Sequence, residues 1–400
     1  MTTVPLMPPG PRPILFLRHQ PDVFLRMARK YGDVLAFTIR RRPVFLVSRP
    51  DLVAQVLRDH DTKFVKEWGP RRGHPVLADG LLTSEGSDHR AQRQYFSRSF
   101  TRAALLQQRT ALHEVIDEWS ARRSPGETID LLREMSLLAS DVVARVLFGS
   151  RVDPAALQDF GEVVNRGFRR VAWPVAIRRR PEDPRPLGDA TVASIRRNRF
   201  RDGLLSAVFD LPEREGDGHI RTFVIAGQET IRLAMVWSWF LLSRHPEIEQ
   251  GWHAELDRDG DTPFTEAVMR EAMRLYPPQW MLGKRALEDY ALGEYVAPRG
   301  SVVLTCPYVV HRDERWFPRA EQFVPTRWLS GETSSAYFPF GGGSRRCIGE
   351  AFAMIEGTMM LSTIGRRWRF DCSPRSGAID ARLGLTPRRM FAKVVNRRAR

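Results

Sequence analysis

Four hundred residues, 42% of them hydrophobic and 10% aromatic, suit a packed globular chain and exclude a disordered one. A formal net charge of +15 invites an acidic partner, a nucleic acid or an anionic membrane, but no nucleic-acid motif and no basic–aromatic interleaving is present, which argues against the second. Three cysteines, Cys306, Cys347 and Cys372, form no CxxC pair, so a disulfide framework or structural zinc site is not expected and a cytoplasmic setting is.

In chain order, the N-terminus lacks the basic start and apolar core of a secretory signal and reads as a stiff, proline-rich lead-in. "DVLAFTIRRRPVFLVSRP", Asp33 to Pro50, predicts a β-hairpin, and "DLVAQVLRDH" after it a helix with Asp51 as its cap. Residues Ala91 to Phe209 are mainly helical by pattern, with breaks at Pro125–Gly126 and in "RRRPEDPRPLG". A long helix is expected from about Ile220 to Ser243, stopped by Pro246. "EAVMREAMRLYPP" is another helix ended by prolines, and Trp280 to Val310 is β-like. A proline- and aromatic-rich irregular stretch follows, then a helix over "EAFAMIEGTMMLSTIGRRW". No run reaches about 18 apolar residues, so no membrane span is expected. Phe168 to Pro181 mixes apolar and basic residues; it reads as a surface helix and loop or as a peripheral membrane contact.

"FPFGGGSRRCIGE", Phe338 to Glu350, concentrates glycines, arginines and one cysteine where a helix begins. It is neither a Walker loop nor a dinucleotide fingerprint. A nucleophilic cysteine remains open, because a helix N-terminus favours thiolate, although no histidine partner signature accompanies it. A thiolate that ligates a metal accounts for more of the stretch: glycines let backbone N–H groups aim at the sulfur and approach a flat ligand, and an arginine can pair with an acid on that ligand. Thiolate-ligated heme iron meets these demands.

Phe340, Gly343, Arg345, Cys347 and Gly349 match FxxGxRxCxG, so the chain resembles the cytochrome P-450 superfamily of heme-thiolate monooxygenases, in particular compact bacterial members of the Thermus carotenoid-hydroxylase type. Further stretches match the family. Ala226, Gly227, Gln228, Glu229 and Thr230 fit [AG]Gx[DE]T inside an apolar helix. There Thr230 can bond back to the Ala226 carbonyl; the bland alternative is a packing glycine with a capped polar pair. Glu271 and Arg274 fit ExxR on one helix face, otherwise a common surface ion pair. "PTRW" resembles PxRF and adds Arg327, with Trp328 as a mild change. His89 and Arg93 fit the (W/H)xxxR pattern.

The resemblance implies a mainly α cytochrome P-450 fold in one domain over residues 1–400. A large helical lobe and a smaller β-rich lobe (about 33–50 and 280–310) would enclose heme b between the long helix and the cysteine-loop helix. It implies Cys347 as the iron ligand and His89, Arg93, Arg285 and Arg345 at the heme propionates, with Phe340 and Gly349 also against the heme. Gly227, Glu229 and Thr230 would hold dioxygen and deliver protons; Glu271, Arg274 and Arg327 would be structural. Ala226, Trp280, Met281 and Leu282 would line the substrate pocket, with Lys66 to Leu82 and Leu385 to Pro387 as further walls. The implied reaction puts one oxygen atom of O₂ into a C–H bond of a lipophilic substrate, a carotenoid, other terpenoid or fatty acid. Electrons would come from a separate ferredoxin and its reductase, docking near Arg345, Arg346, Arg366, Arg367 and Arg369. The alternatives are a peroxide-driven peroxygenase and a non-enzymatic heme sensor.

Overall fold

The computed structural model describes residues 8–10, 21–39, 41–67, 80–157, 185–258, 260–331, 334–373, 379–381 and 384–397. Most of the lead-in, most of the Lys66-to-Leu82 wall and the whole Phe168-to-Pro181 stretch lie outside the described residues.

The expected hairpin forms. Val34–Ile39 pairs antiparallel with Arg42–Val47, and Arg41, at φ 65°, takes the left-handed conformation that a two-residue turn needs. The two β-rich stretches, far apart in sequence, belong to one sheet. Arg42–Val47 pairs in parallel with Val302–Thr305, which pairs antiparallel with Leu282–Ala286, and Phe64–Lys66 closes the edge. A second sheet went unread: Phe391–Asn396 lies between Thr128–Asp130 and Trp368–Cys372. Its three strands are short and separated by helices, so no local pattern joins them. Trp280 to Val310 is not β throughout either, since Pro307–Val310 forms a single helical turn. Nor does Asp51 cap its helix. Pro50 opens Pro50–Arg58, and the Asp51 carboxylate instead takes hydrogen bonds from Arg49, at 2.7 and 2.9 Å.

The long helix runs from Glu213 to Arg244, seven residues earlier than its apolar run suggests. Glu213 and Glu215 favour the positive end of the helix dipole. The glycines that look like breakers are close contacts. A Cβ on Gly216 would stand 2.7 Å from the Val208 carbonyl oxygen, and one on Gly80 2.5 Å from that of Gly218. Around this helix pack Leu131–Val142 with its wider π turn Val143–Leu147, Pro263–Leu275, and the cysteine-loop helix Glu350–Gly365. Together they bury the main core.

His219 is fully buried on the long helix, its ring edge-on to Phe96 at 4.6 Å, with Glu215 3.9 Å away and neither ring nitrogen hydrogen-bonded. Burial drops its pKa to about 4. The folded chain therefore holds it neutral while the unfolded chain protonates near pH 6.5. Stability is unaffected above that pH and falls as pH drops toward 4, by about 3 kcal/mol from this residue. Urea unfolding of His219→Phe across pH 4–7 should show a flatter dependence than the parent by about that amount.

Candidate functional site

The cysteine loop is fixed by its own backbone. The Cys347 N–H donates to the Phe340 carbonyl at 2.9 Å, and the Arg346 N–H to the Gly343 carbonyl at 3.1 Å. Gly341 and Gly343 sit at φ 71° and 63°, and a Cβ on Gly343 would lie 2.2 Å from the Leu57 carbonyl oxygen, so a side chain is excluded there twice over. Gly349 caps helix Glu350–Gly365, and a Cβ there would stand 3.9 Å from the Cys347 sulfur. Cys347 is accessible yet densely surrounded. That burial raises its thiol pKa, and the Gly349 N–H opposes the rise. The other two cysteines are buried: Cys306 donates to the Trp280 carbonyl at 3.1 Å, and Cys372 lies in the second sheet.

Above this loop five cationic or proton-accepting side chains converge. Arg345 donates to the Ser84 carbonyl at 2.9 Å and to Glu85, and stands 3.7 Å from Asp61. Lys66 reaches the Leu82 carbonyl and Lys284 the Val56 carbonyl at 3.2 Å. Burial, reinforced by Arg345, drops both ammonium groups to about 7. His89 is buried with Nδ1 unbonded; burial and then Arg345 lower it to about 3, with Lys66 and Arg93 acting in the same direction. Burial alone would raise Glu85, but hydrogen bonds from His60 and the Lys66 N–H, with Arg345, hold it at about 2. Among the described residues Asp61, Glu85 and, toward Lys284, Asp59 are the carboxylates that act on these groups, and none of them bonds to the Lys66 or Lys284 ammonium. A ligand with acidic groups fits here.

Arg285 does not join the cluster. Successive residues of Leu282–Ala286 face opposite ways, so Lys284 points inward while Arg285 turns to Glu67, 3.5 Å away. Trp280 is likewise a core residue and not a pocket wall. It is buried against Phe24, with its N–H donated to the Ala381 carbonyl at 2.8 Å. Leu282 and Met281 are half-buried, and a Cβ on Gly341 would touch Leu282 at 3.8 Å, so Leu282 borders the cysteine loop. Leu385 is buried, its carbonyl taking the Trp237 N–H at 2.6 Å.

On the long helix Thr230 Oγ1 donates to the Ala226 carbonyl at 2.9 Å, as expected, and both residues are exposed although the helix is buried or half-buried elsewhere between Gly216 and Ser243. Their spacing puts them on one stripe. Glu229 accepts from Arg232. Gly227 is placed differently from the expectation. A Cβ there would lie 3.0 Å from Val143 and 3.3 Å from Leu147, which makes it a helix-packing contact and not a groove.

The ExxR pair is fully buried. Arg274 binds Glu271 in bidentate fashion at 2.8 and 2.9 Å. It also donates to the carbonyls of His311 and Ala320, both at 2.6 Å, and of Gln322 at 2.9 Å. Glu271 also receives Arg327 at 3.1 Å, the Val324 N–H at 2.9 Å and the Trp328 N–H at 2.8 Å. Trp328 is thus more than a mild change from phenylalanine, because its indole supplies a donor to a buried carboxylate. His311 Nε2 then accepts the Phe338 N–H at 3.1 Å, which carries the network to the first residue of the cysteine loop.

A cytochrome P-450 family model matches residues 8–173 and 191–386. The chain belongs to the cytochrome P-450 family. It is 34% identical to cyclooctatin synthase of Streptomyces melanosporofaciens over 92% of this chain and 90% of that one. It is 31% identical to pentalenene oxygenase of Streptomyces avermitilis over 95% and 94%. The structure of a six-coordinated cytochrome P-450 from Thermus thermophilus superposes with a TM-score of 0.80 at 27% identity, over 96% of this chain and 99% of that one. The fold is therefore the mainly α cytochrome P-450 fold, the protein is an oxidoreductase of that family, and its cofactor is heme b with a cysteine thiolate ligand. Among the described residues no helix is long and apolar enough to cross a membrane.

Replacing Trp328 by phenylalanine leaves an aromatic ring and removes the donor. Chemical unfolding of Trp328→Phe should show a loss of about 1.5–3 kcal/mol, the usual worth of a hydrogen bond to a charged group, with an unchanged m-value.

Proposed function

We propose that the chain is a heme-thiolate monooxygenase that hydroxylates a terpenoid, with Cys347 as the iron ligand. The observation that carries this reading is the cysteine loop: an accessible sulfur, held by a glycine-shaped backbone that brings the Gly349 N–H beside it, next to a cluster of sequestered basic side chains. The heme, when bound, supplies the oxygen-activating chemistry; the thiolate donates electron density to the iron. Arg345, Arg93, Lys66 and Lys284 would pair with its two carboxylates and neutral His89 would hydrogen-bond them, with Lys284 in the role expected of Arg285. Thr230, bonded to the Ala226 carbonyl, lies with it on an exposed stripe of the long helix, where with Glu229 it would move protons. This acid–alcohol pair supports use of O₂ over a peroxide-driven route. A terpenoid substrate is supported by the names of two relatives, one an oxygenase of pentalenene.

Reduced protein exposed to CO should give the red-shifted Soret band of a thiolate-bound heme. Cys347→His should retain heme but lose that band, whereas Cys306→Ala and Cys372→Ala should keep it. A Cys347→His protein with the band intact would refute the ligand assignment.

Electrons would come from an acidic ferredoxin. The docking arginines expected from sequence do not share a face. Arg345 is one-tenth exposed and tied to Glu85. Arg366, Arg367 and Arg369 lie beyond the far end of the 16-residue cysteine-loop helix, about 24 Å along its axis from the cysteine. They are engaged with the Leu256 carbonyl, Asp117 and Glu249. Arg346 is exposed beside the cysteine and bonded to Glu350. On the segments either side of Phe100, Arg90, Arg98, Arg102 and Arg109 are exposed and without a carboxylate partner among the described residues. The Phe100 ring would be 3.7 Å from a Cβ on Gly349. Stopped-flow reduction of Arg98→Glu/Arg102→Glu by an acidic ferredoxin should slow about tenfold at low salt and lose most of its salt dependence. An unchanged rate would reject this face.

A further inference from the structure

The long helix ends at Arg244 beside a cavity of about 710 Å³ that shares no residue with the cysteine loop, the cation cluster or the Ala226–Thr230 stripe. Its walls include Phe240, Tyr276 and Phe323 together with Arg244, Arg312 and Arg319. Arg312 is 5% exposed. Its guanidinium lies over the Tyr308 ring at 3.7 Å and has Nε 3.3 Å from Glu321, yet its buried Nη1 has no acceptor. Glu321 is shared, for it also accepts from Arg29 at 2.8 Å. Arg244 and Arg319 are exposed, and neither pairs with a carboxylate among the described residues. Arg319 adopts φ 55°, a left-handed conformation that a non-glycine residue holds only where its surroundings impose it, and such outliers gather at binding sites. Glu247 and Glu321 are the carboxylates lining the cavity, against three guanidinium groups.

We propose that this cavity is a second binding site, for a small organic anion: an apolar or aromatic body carrying a carboxylate or phosphate. Arg244, Arg312 and Arg319 would grip the anionic head, and Phe240, Tyr276 and Phe323 the body. A guanidinium fork matches either head group in bidentate fashion, and the volume lies in the range of small-molecule sites. Arg312 lines the cavity and its buried Nη1 has no acceptor, so an anion that draws this group toward it gains a hydrogen bond without breaking one. The proposal is independent of which substrate the heme site oxidises.

The test uses the full heme-loaded chain with imidazole saturating the open position on the iron, so that binding at the substrate side of the heme is suppressed. Calorimetric titrations with 1-naphthoate, 1-naphthyl phosphate and inorganic phosphate then separate the head groups from the body. At least one naphthyl anion should bind with 1:1 stoichiometry, more tightly than inorganic phosphate and than neutral 2-naphthol. Arg312→Gln should weaken it about tenfold or more. Because Arg312 is buried and its loss can unfold the region, Arg244→Glu, at an exposed position, must weaken the same anion comparably. No binding of either naphthyl anion, equal binding of 2-naphthol, or wild-type affinity in Arg244→Glu would overturn the proposal.

Discussion

One buried guanidinium organises the surroundings of the cysteine. Arg274 carries five hydrogen bonds, two to Glu271 and three to carbonyls of the irregular segment that precedes the cysteine loop. That segment has little regular secondary structure to satisfy its own backbone, so buried carbonyls would be orphaned without a donor. Glu271 completes the balance by accepting from Arg327, Trp328 and Val324. A buried ion pair is weak evidence for stability in general, but here the pair is fully hydrogen-bonded, and removing either member would leave an uncompensated charge in the core. Through His311 the same network sets where the loop begins, and the loop's own backbone bonds set its path from there.

The cation cluster follows a different logic. Its groups are not mutually satisfied: buried Lys66 and Lys284 are pushed toward neutrality, and His89 is held neutral with an unbonded nitrogen. Such a site is poised for an anion, and the two acidic groups of heme would provide one. Arg312 shows the same imbalance elsewhere on a smaller scale, with a cation sequestered beside two tyrosine rings and one shared carboxylate.

Features written in contiguous residues were legible from sequence. The hairpin, the long helix, the Thr230 back-bond and the ExxR pair depend on local spacing, and each appears where the pattern puts it, apart from the seven residues by which the long helix begins early. What required three dimensions was missed. Choosing Arg285 over Lys284 requires the phase of a strand, which neighbouring residues do not fix when both are basic. Trp280 reads as a pocket wall because it is apolar and near the motif; only the Ala381 carbonyl, far along the chain, reveals it as core. Gly227 could be a groove or a contact, and the Val143–Leu147 turn decides for the contact. The second sheet joins three segments from across the chain, and its residues carry no sign of one another.

The larger sheet sets a condition on biosynthesis. Val44 of the hairpin takes its parallel neighbour from Val302, so the newborn hairpin leaves the ribosome with one edge bare and keeps it so while the helical part is translated. Exposed edges of this kind recruit other chains. On the other side of the hairpin the Pro9 carbonyl accepts the Ala36 N–H, so that edge finds its partner within the first tens of residues. The Arg42–Val47 edge is the one left open to mispairing until the later strand arrives.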